Sequence, residues 1–144
     1  MNYIESEHLS RWTAAGRASV ASVDRCSAFH DYLSGLAWFP SKLDWRGLEH
    51  AVVEASEMLE SDAVINARRS RLGAHSHLLA MFSPEQPGLI CRVEDGLANL
   101  DYIYWKAAGF RYFCGVDKNA EGVSEFFFSD FGEFDGFAKI TLRL

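Results

Sequence analysis

The hydrophobic period changes part-way along this chain, and that change constrains the fold more than any other feature. The closing stretch, "FAKITLRL", alternates from Ala138 on: Ala138, Ile140, Leu142 and Leu144 to one side, Lys139, Thr141 and Arg143 to the other. A period of two is the mark of a strand with one face on a core. Most of the N-terminal half instead repeats every three to four residues, the spacing of an amphipathic helix.

Read this way, "EHLSRWTAAG" predicts a helix with Leu9, Trp12 and Ala15 on one face and Gly16 as its stop. "DRCSAFHDYLSGLAWFP" predicts a second, capped by Asp24 and ended by Pro40, whose ring forbids continuation. "SKLDWRGLEHAVVEASEMLES" predicts the clearest helix, through Trp45, Leu48, Val52, Ala55 and Leu59, and "DAVINARRSRLG" a fourth that Gly73 ends. Further on, "SHLLAMFS" and "LICRV" flank the turn-rich "PEQPG" and predict a hairpin. A helix over "GLANLDYIYWKAAG", capped by Asp95, separates that hairpin from the strand "FRYFCGV" and the turn "DKNAEG". Helices first and strands later predict an α+β fold. The expected form is a single domain, 1–144, with N-terminal helices packed on one face of a mostly antiparallel sheet of about five strands in the C-terminal half.

Charge narrows the partners. The chain carries 14 Lys and Arg against 20 Asp and Glu, a net charge of −6. Phosphate backbones select for positive potential, so nucleic acid is not expected as a partner. The acids gather late: within 117–135 stand Asp117, Glu121, Glu125, Asp130, Glu133 and Asp135 against one base, Lys118. The start, "MNYIESEHLSRW", lacks the basic and apolar regions of a signal peptide, and no run is apolar for long enough to span a membrane. The expected location is cytoplasmic. The three cysteines, Cys26, Cys91 and Cys114, have neither the number of a disulfide framework nor the spacing of a zinc site, and read as reduced, buried thiols. No cofactor or metal is expected.

Three motifs remain. "GAHSH" sets His75 and His77 two apart at the expected start of a strand, hence on one face, where two imidazoles could serve as acid and base of a small hydrolase or transferase. "RRSR" (Arg68, Arg69, Arg71) reads as a solvated helix end, or as a partner for the acidic C-terminal region. "EFFFSDFGEFDGF" (125–137) holds six Phe and four carboxylates in thirteen positions. Alternation puts Phe126 and Phe128 on one face and Phe127 and Phe131 on the other. "GEFDG" reads as a hairpin tip carrying Phe134 between Glu133 and Asp135. An aromatic ringed by carboxylates suits an interface with a basic protein.

These features point first to a small, acidic, protein-binding inhibitor rather than an enzyme. An immunity protein neutralising a bacterial toxin, or a phage-type inhibitor, would fit, with Asp130, Phe131, Glu133, Phe134 and Asp135 occluding the partner's basic site. The alternatives are the His75/His77 enzyme and a small-ligand-binding accessory domain whose pocket the four tryptophans, Trp12, Trp38, Trp45 and Trp105, would line.

Overall fold

The computed structural model describes residues 5–54, 69–105, 109–136 and 139–144. Its order of elements is α1 (Glu7–Ala14), β1 (Ala18–Ala21), α2 (Val23–Ser34), β2 (His50–Glu54), β3 (His77–Met81), β4 (Gly88–Arg92), α3 (Val93–Ala98), α4 (Leu100–Ile103), β5 (Arg111–Lys118), β6 (Ser124–Phe134) and β7 (Lys139–Arg143). Single 3-10 turns at Trp45–Gly47 and Leu72–Ala74 precede β2 and β3. The fold is α+β. Among the described residues seven strands form one sheet in the order β1-β4-β3-β5-β6-β7-β2, every neighbouring pair antiparallel. No helix among the described residues is long and apolar enough to cross a membrane.

The two strands beyond the expected five come from the N-terminal half. β1 closes one edge against β4, and β2 closes the other against β7. β2 lies inside the stretch expected to be the clearest helix. Its register sets Glu54 opposite Lys139 and His50 opposite Arg143, and its two valines suit a pleated surface. Pairing with the strictly alternating β7 outweighs a helical period that Trp45, Leu48 and Val52 also satisfy. The rest of that expected helix, 55–61, and most of the "DAVINARRSRLG" helix lie outside the described residues.

Smaller differences have local causes. Ser22, not Asp24, caps α2, its hydroxyl accepting from the Arg25 amide at 3.4 Å. Among the described residues the expected helix after β4 is two short ones, α3 and α4, meeting at Asn99, whose side chain donates to the carbonyl of Asp95, a residue inside α3 rather than its cap. Residues 106–108 of that expected helix lie outside the described residues.

Helices cover both faces of the sheet, not one. On the first face Leu78, Phe113 and Leu142 meet Leu9 and Trp12 of α1 and Leu97 and Ile103 of α3 and α4. On the second, Leu79, Cys114 and Phe131 meet Cys26, Phe29 and Leu33 of α2, with Leu43 and Trp45 from the segment leading to β2. The tryptophans therefore line no common pocket: Trp12 and Trp45 belong to opposite layers, while Trp38 and Trp105 are exposed.

Candidate functional site: a histidine clamp behind an acidic hairpin

β5 and β6 pair along their length except at one place. Cys114 lies opposite Phe131 and Gly115 opposite Phe127, so Phe128, Ser129 and Asp130 are extra residues on β6. This bulge is tied down on every side. The Phe128 ring stacks on Phe29 at 5.6 Å, and Arg143 donates to the Ser129 carbonyl at 3.1 Å. Asp130 receives His75.

His75 stands before β3, just past the Leu72–Ala74 turn. Its Nδ1 lies 3.0 Å from Asp117 Oδ2 and its Nε2 lies 2.6 Å from Asp130 Oδ2. Two carboxylate acceptors on the two ring nitrogens call for a doubly protonated, cationic ring. The ring stacks on Phe127 at 4.5 Å and keeps only 7% of its side chain exposed. It lies where a side chain on residue 115 would be, so only Gly115 leaves room for it. Burial opposes the charge, but the hydrogen bonds His75 donates to Asp130 and Asp117 outweigh it and the His75 pKa is raised. Burial likewise opposes ionisation of Asp117, and the His75 bond and the Ser76 amide outweigh it, holding that carboxyl below its usual value. Arg71, of the "RRSR" motif, adds a looser contact with Asp130 at 3.9 Å and donates to the Leu144 carbonyl at 3.2 Å. That agrees with its reading as a partner for the acidic C-terminal region.

The expected same-face histidine pair does not form. β3 begins at His77, which pairs with Val116 and shares the α2 face, whereas His75 covers Gly115 on the opposite face. The His77 Nδ1 meets Ser76 Oγ at 2.7 Å. Among the described residues no three His, Cys, Asp or Glu side chains converge as metal ligands. All three thiols are buried, which pushes Cys26 up to about 11 and Cys91 up to about 12 and leaves them poor nucleophiles at neutral pH.

The expected tip at 132–136 is corrected by the structure. β6 runs through Phe134, so Gly132 and Glu133 are strand residues rather than turn residues. Phe134 is 2% exposed and stacks on Tyr104 at 6.2 Å. Glu133, on the other face, is 6% exposed and accepts from the Tyr112 hydroxyl at 2.7 Å, with burial pushing its pKa up. Phe131 is wholly buried in the second core layer. Asp135 closes the β6–β7 turn, its carboxylate accepting from the Lys139 amide at 3.1 Å. Of the five expected contact residues, then, three are interior, Asp130 is a clamp residue and Asp135 closes a turn.

An acidic, apolar-tipped hairpin does exist, at the other end of β6. The β5–β6 turn is built by Asn119, whose Oδ1 accepts from the Glu121 and Val123 amides at 2.9 and 3.0 Å. Gly122 supplies the positive φ of +79° that the turn requires. Val123 projects there, 56% exposed, between Glu121 and Glu125, both exposed. Asp117 stands at the base of this hairpin, so the clamp and the tip share β5 and β6. The sequence signal was available in "DKNAEGVSE": turn residues, three acids and an isolated valine.

Comparison with protein-family models, with curated protein sequences and with solved structures finds no match to this chain.

Proposed function

We propose that this chain is a protein-binding inhibitor of the immunity-protein kind, which occludes a basic site on a partner such as a cognate toxin, and that it engages that partner with the β5–β6 hairpin. One observation carries the reading: Val123 is held out between Glu121 and Glu125 on a turn already fixed by Asn119 and Gly122. An apolar contact with flanking carboxylates gives buried area at the centre and orientation at the rim. A turn rigid before binding loses little entropy on docking. The net charge of −6 favours approach to a basic surface.

The experiment is site-specific photocrosslinking, with the crosslinker at Val123 and, as the control, at the exposed Val52 of β2. A basic partner protein should be captured from position 123 and not from 52. The Glu121→Lys/Glu125→Lys pair should slow association with that partner about tenfold or more at low salt and flatten its salt dependence. Thermal stability should be unchanged, since both side chains are exposed. A double variant that associates at the normal rate would overturn the assignment.

A further inference from the structure

A second site, on the α2 face of the sheet, has a different chemistry. A cavity of about 390 Å³ opens between β1 and β5. Its lining includes Arg17, Ser19, His77, Arg92 and Lys118, with Ile90 as an apolar floor and Asp95 at one side. In a chain with a net charge of −6, three cations around one cavity make a local reversal of sign. They are not equivalent. Arg17 is held as a fork by Asp95, at 2.6 and 3.2 Å, and lies over the Trp12 ring at 4.1 Å. That leaves Arg92 and Lys118 as the available charges. Arg92 has no carboxylate within ion-pair distance among the described residues. Lys118 reaches from β5, across β3 and β4, to a weak 3.4 Å contact with Ser19 Oγ on β1.

The geometry points to a binding site for a small phosphorylated molecule, its dianionic phosphate between Arg92 and Lys118 and its organic part over Ile90. The volume falls in the range of small-molecule sites, roughly 300–1,000 Å³, larger than a bare phosphate needs. The arginine fork matches phosphate oxygens and the lysine adds a point charge. The Ser19 hydroxyl, freed from Lys118, becomes a further donor. His77 reports on the same field: burial, then Lys118 and Arg92, lower its pKa, while Asp117 and Glu94 act weakly in the other direction. A bound dianion would reverse the balance and favour the protonated ring, so binding and His77 protonation should be coupled.

The test follows the His77 imidazole resonances by NMR at constant ionic strength, with inorganic phosphate, ribose 5-phosphate and ribose as probes. Ribose 5-phosphate should give a saturable shift and raise the His77 pKa, and ribose should do neither. Equal affinity for inorganic phosphate would assign the site to the free anion, and weaker affinity to an organic phosphate. Arg92→Gln and Lys118→Gln, both surface changes, should each weaken binding about tenfold while leaving the fold intact. The proposal is overturned if neither phosphate saturates by about 1 mM. It is equally overturned if sodium chloride reproduces the shift, or if both variants respond as the parent does. None of these outcomes depends on the hairpin, so the two readings fail separately.

Discussion

The residue on which the described structure turns is His75. It joins three segments distant in sequence: its own loop, Asp117 at the end of β5 and Asp130 in the β6 bulge. Its pKa is raised, so its contribution to stability is complete below the ordinary histidine value of about 6.5 and is lost as pH climbs through the higher folded value. Asp117 has the opposite sign. Its pKa is lowered, so its contribution holds above the ordinary aspartate value and is lost as pH falls through the folded one. Together they make the clamp strongest in mildly acidic solution. The side chain of Asp130 is only 19% exposed, so removing the cation leaves a carboxylate poorly solvated. His75→Gln should therefore cost about 3 kcal/mol near pH 6, and the gap to the parent should narrow as pH rises past neutrality. Urea titrations of both proteins across that range would measure it, and parallel pH profiles would show that His75 carries no charge in the fold. The histidine was visible in "GAHSH". Its partners were not, because residues 42 and 55 positions away come together only through strand pairing and a bulge that no spacing announces.

Among the elements, β6 shows how a single irregularity alters the reading of a whole segment. Strict alternation pairs Phe131 with Phe127. The three extra residues reset the phase, so Phe131 joins Phe126 and Phe128 on the α2 face while Phe127 faces His75. The density of Phe in "EFFFSDFGEFDGF" is thus mostly core, divided between two layers because the sheet is covered on both faces. The glycines at 132 and 136 resembled the ends of a tip. In fact Gly132 sits where a side chain would run into the Phe113 ring, 2.5 Å away, and only Gly136, with φ of +86°, belongs to the turn. Phe134→Ala should accordingly behave as a core truncation. A loss of about 3–5 kcal/mol is expected, seen as a lower urea midpoint at an unchanged slope. Unaltered stability would return Phe134 to the surface. β7 and the β3–β4 hairpin were legible because alternation and turn chemistry agreed there. β2 was not, since five residues bearing two valines and a histidine acquire their identity from β7 alone.

For the molecule as a whole, the segregation of helices and strands by halves holds only loosely. The N-terminal half supplies both edge strands as well as α1 and α2, and its helices go to opposite faces. One sheet therefore serves as the common wall of two apolar layers, and neither layer can lose its packing without baring that wall to water. The cysteines divide between the layers: Cys91 in the first, Cys26 and Cys114 in the second. Each is buried, and burial raises each thiol well beyond its usual value, so reaction with a disulfide reagent at pH 8 requires opening of the surrounding structure. If the shared wall makes the layers open together, all three thiols should label at one rate, and that rate should rise with urea as global unfolding does. Mass spectrometry during labelling would then show only unmodified and triply modified chains. Early modification of Cys26 and Cys114 ahead of Cys91 would mean instead that the α2 layer opens by itself, and the two faces would be separate units of stability. Cys91 is the discriminating position because its side chain packs in the first layer, while Cys26 and Cys114 share the second.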